Sequence, residues 1–183
     1  MQGLLVAIDD LAIQRAKAGD SAALGQLYRA YESGVYTVAR RICRTPEDAE
    51  EVLQDTFVEV CRSIQRFRGE GTGSLTAWIK RIAASKALML IRREKYRATD
   101  ELHEDYLEVG RKVDPDAGLR MDLETALGKL SETSRAVVWL HDVEGHTHED
   151  IAEMMNKSVS FSKSQLARAH ARLRKWLGEG ALC

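Results

Sequence analysis

The sequence predicts an all-α protein made of two small helical domains joined by an acidic flexible linker, and three observations support this. First, the 183 residues include only two prolines and 6% aromatic residues, a composition that favours helices over sheets. Second, apolar residues recur at helical spacing in both halves. Third, this periodicity fails over residues 98–118, where acidic residues predominate, as is typical of a linker. We therefore expect domains at residues 1–97 and 119–183.

The first domain begins with apolar residues that predict one or two helices between Asp10 and Arg44, around a turn at Ala18 to Ser21. Thr45 and Pro46 then predict a strong helix start, because Thr caps well, Pro suits the first turn, and acidic residues follow near the positive end of the helix dipole. This helix should bury Phe57 and its apolar neighbours on one face and expose a stripe of carboxylates on the other.

A glycine-rich segment from Arg68 to Ser74 predicts a loop. A second helix should follow from about Leu75 to Tyr96. Trp78 could stack on a nucleic-acid base, but its spacing with Ile82 favours a place in the core. The candidate buried positions of this helix are Trp78, Ile79, Ile82, Ala83, Leu88, Met89 and Leu90.

The second domain should contain four short helices. Ser131, Thr147 and Ser160 are the expected N-caps of the second, third and fourth, and Asn156 is a plausible left-handed residue at the end of the third. Two helices joined by a short turn, the second of them basic, are typical of a helix-turn-helix.

Charge is sorted along the chain, although the net charge is only −1. From Thr45 to Cys61 there are six acidic residues and no basic one; from Arg62 to Arg97 there are ten basic residues and two acidic ones. From Lys157 to Lys175 there are six basic residues and no acidic one. Such sorting indicates two kinds of partner, a basic one and a polyanion.

Several function classes are disfavoured. Three distant cysteines argue against a disulfide framework and for the reducing cytoplasm. The N-terminus does not resemble a signal peptide, and no apolar run approaches ~18 residues, so we expect no membrane span. His141, His146 and His148 lie close together, but two of them fall beside a helix cap, where polar residues are expected, and no Cys pair accompanies them, so we expect no metal site. With no catalytic motif, we expect neither an enzyme nor a cofactor.

Two stretches resemble one family. EDAEEVLQDTFVEV followed by FRGEGTGSLTAWIKRIA resembles region 2 of bacterial RNA polymerase sigma factors of the extracytoplasmic-function (ECF) class, and LSETSRAVVWLHDVEGHTHEDIAEMM followed by KSVSFSKSQLARAHARLRKWL resembles their region 4. Order and spacing agree over about Ala22 to Trp176. The resemblance implies an alternative sigma factor that binds core RNA polymerase and directs promoter recognition, DNA melting and transcription initiation. Its implied partners are the polymerase β′ clamp and β subunit, promoter DNA and, as in many relatives, an anti-sigma protein.

The resemblance also implies three sets of site residues. The polymerase-binding set is Asp48, Glu51, Gln54, Asp55, Phe57 and Glu59. The set that holds the melted minus-ten element is Lys80, Arg81, Ser85, Lys86, Met89, Arg92 and Arg93. The set that binds the minus-thirty-five element is His141, Lys163, Ser164, Gln165, Arg168 and Arg172.

Some residues depart from the family pattern. Ser85 and Met89 stand where Asn and Asp are common, and the glycine-rich loop is about two residues longer, so the minus-ten preference should be altered or relaxed. Ser162 stands at a normally apolar position and should weaken the seating of the last helix unless Phe161 packs across the turn. Gln165 should read adenine if it faces base edges.

The main alternative is a stand-alone helix-turn-helix regulator whose N-terminal half is a dimerisation domain. The acidic residues between Thr45 and Cys61 discriminate between a sigma factor and such a regulator, because a polymerase subunit needs a surface for a basic protein partner and a dimerising regulator does not. A protein-binding adaptor is a third possibility, which the two basic helices disfavour.

Overall fold

A computed structural model describes residues 8–101 and 123–178, with side chains described as far as Glu94 in the first range. It divides into two compact units, Met1–Leu90 and Ile91–Cys183. The helices are α1 (Asp10–Lys17), α2 (Ser21–Ile42), α3 (Pro46–Ser63), α4 (Gly71–Glu101), α5 (Leu123–Gly128), α6 (Glu132–Val138), α7 (His148–Met155) and α8 (Val159–Gly178). A 3₁₀ turn (Ile64–Arg66) follows α3, and a π turn (Trp139–Val143) follows α6. The described residues contain no strand, which confirms the predicted all-α class.

The first unit is built around α2, which packs against both α1 and α3. Asp20 caps α2 by accepting hydrogen bonds from the backbone N–H groups of Ala22 (2.8 Å) and Ala23 (3.3 Å). Such a cap satisfies donors that a helix start leaves without partners. Fully buried side chains from α2, α3 and α4 form the core; the largest are Leu27, Ile42, Leu75 and Ile79.

Helix α3 starts as the sequence predicts. The Thr45 side chain accepts a hydrogen bond from the Asp48 N–H at 3.1 Å, and the Asp48 carboxylate accepts one from the Thr45 N–H at 3.3 Å. This reciprocal capping box fixes the first turn and therefore the direction in which the acidic helix leaves the turn.

Helix α4 begins earlier than expected, at Gly71 rather than Leu75. Gly71 adopts φ +71°, which glycine tolerates, and the Thr76 hydroxyl already donates to the Thr72 carbonyl at 2.7 Å. Burial of Leu75 and Ile79 outweighs the roughly 1 kcal/mol cost of Gly73 in the first turn. The prediction that Met89 is buried was wrong, since 55% of it is exposed.

In the second unit, α8 packs against α5, α6 and α7. The Thr147 cap of α7 and the left-handed Asn156 (φ 51°, ψ 50°) at its end are confirmed. The expected cap of α8 at Ser160 was wrong: the helix starts at Val159, and the Ser158 hydroxyl accepts from the Phe161 N–H at 3.1 Å. A cap must precede the helix, and Ser160 lies within its first turn.

The predicted linker, residues 98–118, lies outside the described residues except at 98–101, which belong to α4. The proposed domain boundaries therefore stay predictions. None of the helices in the ranges 8–101 and 123–178 combines the length and the apolar character that a membrane span requires.

Candidate protein and nucleic-acid interfaces

Helix α3 presents a face that we call the α3 outer face, formed by Glu51, Gln54, Asp55 and Val58. Their three- and four-residue spacing places them side by side. Gln54 and Asp55 are exposed, and Glu51 is half-buried. Val58 is 45% exposed. Val58 was not in the predicted polymerase-binding set, although its helical spacing from Glu51 and Asp55 would have placed it on the same face. The α3 outer face thus sets one apolar side chain among carboxylates.

Two residues of the predicted polymerase-binding set also make contacts within the fold. Phe57 is only 7% exposed, and its ring centroid lies 4.7 Å from that of Tyr28 on α2. This burial confirms the face that helical periodicity predicted for Phe57, and its role in polymerase binding, which the resemblance implied, stays a prediction. Asp48 is half-buried and holds the capping box of α3.

The predicted minus-ten residues lie on α4. Arg81, Ser85 and Met89 form one stripe at four-residue spacing, with Arg81 and Met89 exposed and Ser85 half-buried. Lys80 is half-buried and projects about 100° away around the helix. Arg92 is half-buried and Arg93 exposed; both follow residue 90 and belong to the second unit. The two departures from the family pattern, Ser85 and Met89, therefore lie on the stripe that begins with Arg81.

An ion pair connects a residue of the acidic set to a residue of the basic set. The Lys86 ammonium donates a hydrogen bond to the Glu59 carboxylate with Nζ and Oε2 3.2 Å apart, and both side chains are half-buried. Partial burial weakens solvent screening of such a pair. The structure thus brings together α3 and α4 at residues predicted for different partners.

The segment before α4 is fixed by aromatic packing. Phe67 is buried, and its ring centroid lies 5.2 Å from that of Trp78. The Lys17 ammonium lies 5.2 Å from the same ring, within the range of a cation–π contact. A Cβ added at Gly69 would lie 2.6 Å from Phe67 Cζ and 2.7 Å from Ser74 Cβ. Trp78 is half-buried, so it helps to hold the loop against the fold rather than standing free as a stacking platform.

Helix α8 exposes a surface that we call the α8 reading surface, formed by Lys163, Ser164, Ala167 and Arg168. The Ser164 hydroxyl donates to the Phe161 carbonyl at 2.9 Å. Arg168 Nη2 lies 3.5 Å from the Ser164 hydroxyl, which directs the guanidinium along this surface. Arg172 is half-buried further along the helix.

Gln165 points away from this surface. Its Oε1 accepts a hydrogen bond from the buried Ser134 hydroxyl of α6 at 3.1 Å, and that hydroxyl in turn accepts one from Ser131 at 3.0 Å. The expectation that Gln165 reads adenine depended on its facing base edges. The structure does not place it there, because a buried hydroxyl on α6 engages its amide oxygen.

A cluster of imidazoles links the π turn, α7 and α8. Asp142 lies 2.8 Å from His141 Nδ1 and 2.6 Å from His170 Nε2. The His141 and His148 rings stack with centroids 4.6 Å apart, and His148 Nδ1 lies 2.9 Å from the Ser162 hydroxyl. Among residues 8–101 and 123–178, no group of His, Cys, Asp and Glu is arranged to hold a metal ion.

The cluster shifts two pKa values. Burial would raise the pKa of Asp142, but hydrogen bonds with His141 and His170 outweigh it, so the pKa lies below its usual value. Burial lowers the pKa of His148, and repulsion from His141 and Lys163 lowers it further, against weaker attraction to Glu149 and Asp142. Near pH 7 these shifts favour the carboxylate form of Asp142 and the neutral form of His148.

Comparison with known proteins agrees with this architecture. Sigma-70 region 2 matches residues 27–97, and Sigma-70 region 4 matches residues 120–173. The ECF RNA polymerase sigma factor SigM of Mycobacterium tuberculosis is 32% identical over 161 residues, covering 88% of this chain and 80% of that protein. The ECF RNA polymerase sigma factor SigE of Mycolicibacterium smegmatis is 32% identical over 171 residues; the match covers 88% of this chain and 65% of SigE.

Two solved structures share the fold. One is the sigma factor RpoE in complex with the anti-sigma factor NepR from Bartonella quintana, with a TM-score of 0.55, 21% identity, and coverage of 84% of this chain and 96% of that chain. The other is CnrH in complex with the cytosolic domain of CnrY, with a TM-score of 0.53, 23% identity, and coverage of 92% and 96%. With both sigma-70 regions matched in order and relatives above 30% identity, the chain belongs to the ECF family of RNA polymerase sigma factors.

Proposed function

We propose that this alternative sigma factor binds core RNA polymerase through the α3 outer face, holds the melted minus-ten strand with the α4 stripe of Arg81, Ser85 and Met89, and reads the minus-thirty-five element with the α8 reading surface. The observation that carries the proposal is the separation of charge on exposed helix faces: carboxylates on α3, basic residues on α4 and α8. Each surface suits a different partner.

The α3 outer face suits a basic protein. Asp55 and Glu51 would be repelled by DNA phosphates, whereas a positively charged helical clamp such as that of the β′ subunit complements them. Val58, 45% exposed among these carboxylates, supplies the kind of apolar contact found at the centre of protein interfaces. Glu59 lies at the edge of this face and is engaged by Lys86.

The α4 stripe suits single-stranded DNA. Arg81 is exposed and can neutralise a phosphate. Ser85 and Met89 follow it at four-residue spacing, where a base of the melted strand would lie. A short hydroxyl and a thioether form fewer hydrogen bonds than an amide and a carboxylate, so this chain should discriminate weakly among minus-ten sequences.

The α8 reading surface suits the major groove. Lys163 and Arg168 are exposed basic residues, and the groove offers acceptors on guanine that such side chains recognise. Ser164 and Ala167 are small, so the helix can approach the bases closely. His141 lies outside this helix, where a contact to a phosphate is the role that fits its position.

The proposed protein carries out no chemistry of its own, since bond formation belongs to the polymerase. It acts in the cytoplasm, where core enzyme and promoter DNA are found. The two solved structures described above are complexes, one with the anti-sigma factor NepR and one with the cytosolic domain of CnrY, so an anti-sigma protein is the regulator that we propose for this chain.

Size-exclusion chromatography of the chain with core RNA polymerase tests this function. At low micromolar concentration the two should elute together, and the complex should bind promoter fragments that neither component binds alone. Failure to co-elute would refute polymerase binding, and tight sequence-specific DNA binding by the free chain would instead support a stand-alone regulator.

A further inference from the structure

The contact between α7 and α8 contains a polar pair, one member of which is fully buried. Ser162 lies in the first turn of α8 and is 0% exposed. Its hydroxyl lies 2.9 Å from Nδ1 of His148, the first residue of α7. A hydroxyl buried without a partner is unfavourable, so His148 supplies the partner that makes Ser162 tolerable there.

His148 is itself held in place by other side chains. Its ring stacks on His141, with an interplanar angle of 24°. His141 contacts Asp142, which also contacts His170. Helix α8 is thus contacted at two positions, Ser162 and His170, which lie eight residues or about 12 Å apart along the helix. Ser162 contacts α7, and His170 contacts the π turn.

The π turn places His141 and Asp142 in this arrangement. Its wide hydrogen bond joins the Glu144 N–H to the Trp139 carbonyl at 3.1 Å. Such turns are rare and often occur at functional sites. The extra residue lets a single turn present His141 to α7 and Asp142 to α8.

We propose that His148 is a positioning residue for minus-thirty-five recognition: through Ser162, and through the His141–Asp142–His170 contacts, it fixes the rotation of α8 about its axis. Lys163 and Ser164 follow Ser162 directly in the sequence, so any rotation of this first turn moves the α8 reading surface relative to the groove. The proposal rests on the proposed function in that α8 reads the upstream element.

Protonation gives this role a distinctive signature. The titratable groups that face His148 are His141 and Asp142 from the π turn, Lys163 from α8 and Glu149 from α7. Because folding lowers the pKa of His148, its contribution to stability is present above about pH 6.5, the usual unfolded value, and is lost as the pH falls below it. A protonated ring also forces Nδ1 to donate, so Ser162 must then accept.

Three variants separate positioning from stability. His148→Leu removes the partner of Ser162. His148→Leu combined with Ser162→Ala makes the contact fully apolar, which should recover stability because no buried hydroxyl is left unsatisfied. His148→Asn keeps a side-chain nitrogen near the position of Nδ1 but no longer titrates. Urea denaturation of each full chain reports stability.

The test is transcription by the full chain bound to core polymerase, on a promoter selected from a genomic library and on derivatives with single changes in its minus-thirty-five element. The measured quantity is the activity ratio between the selected and the changed promoters. We expect this ratio to fall roughly fivefold or more in His148→Leu and in the double variant, and to stay within twofold of the original in His148→Asn. As the pH is lowered below about 6.5, the ratio should fall more steeply in the original chain than in His148→Asn, whose side chain at this position does not titrate.

A double variant with regained stability and an unchanged ratio would overturn the proposal, because the pair would then serve stability alone. An equal pH dependence in His148→Asn would also overturn it. If the original chain transcribes without discriminating between minus-thirty-five sequences, the proposed role of α8 fails, and the inference fails with it; that result is distinguishable because it appears before any substitution.

Discussion

Lys86 Nζ on α4 lies 3.2 Å from Glu59 Oε2 on α3, so one residue predicted to hold DNA is paired with one predicted to bind polymerase. A partly exposed pair of this kind contributes about 0–1 kcal/mol to stability. The ion pair also links α3 to α4. It sets a carboxylate of the predicted polymerase-binding set against an ammonium group of the predicted DNA-binding set.

Exchanging the two charges separates the structural role of this pair from its functional one. Glu59→Lys places two ammonium groups together and should destabilise the chain by up to about 1 kcal/mol. The double variant Glu59→Lys, Lys86→Glu should regain that stability in urea denaturation. Transcription should stay impaired, because each surface now carries the wrong charge. Full recovery of transcription in the double variant would show that the two residues serve only each other.

Asp55→Lys should weaken core polymerase binding about tenfold or more, because it puts a positive charge at the centre of the α3 outer face. Stability should change little, since Asp55 is exposed. The matched control is Asp10→Lys, the same change at an exposed residue of α1 in the same unit. Titration of fluorescently labelled polymerase measures both affinities; equal affinities for the two variants would remove α3 from the interface.

Gly69→Ala should impair promoter opening and stability. The added Cβ would clash with the buried Phe67 ring at 2.6 Å, and overpacking of this kind costs about 1–3 kcal/mol. Gly73→Ala is the matched control, because a Cβ there meets nothing within 4 Å. It should leave stability unchanged or raise it, since Ala favours a helix more than Gly does. Permanganate footprinting of the melted strand and urea denaturation check both, and unchanged opening by Gly69→Ala would show that the loop does not need this geometry.

Arg168→Ala should cost about 1–3 kcal/mol in minus-thirty-five binding by the holoenzyme if the guanidinium contacts a base edge. The loss should then fall on particular sequences. Arg29→Ala, at an exposed arginine of α2, is the control for a lost positive charge. An equal loss across all sequences, with a shallower salt dependence, would instead identify Arg168 as a phosphate contact.

Local rules predicted much of this fold. Thr45 could be predicted as an N-cap because capping depends on residues within one turn. Asn156 could be predicted at the end of its helix because few residues tolerate a left-handed backbone. Helical periodicity likewise predicted that Asp55 and Phe57 face opposite ways. The early start of α4 was missed because the glycines of residues 71–74 argue locally against a helix, and the burial of Leu75 is a tertiary effect.

The candidate sites depended more on tertiary contacts. The sequence predicted adenine recognition by Gln165 only if its side chain faces base edges, and in the structure Ser134, 31 residues earlier, donates a hydrogen bond to its amide oxygen. Ser162 was predicted to weaken the seating of the last helix, because its hydrogen-bond partner, His148, lies on another helix and could not be identified from the sequence. Neither pairing has a sequence signature. Sequence patterns predict which face of a helix a residue occupies, but not which polar side chain of another helix will reach it.

The most direct test is transcription in vitro with core RNA polymerase and a genomic fragment library, with and without this chain. We expect new start sites only when the chain is present, preceded by a shared upstream element at a fixed spacing and by a less constrained minus-ten element. Asp55→Lys should reduce transcription from these start sites. If the chain adds no start site to those of core enzyme, it does not direct promoter recognition.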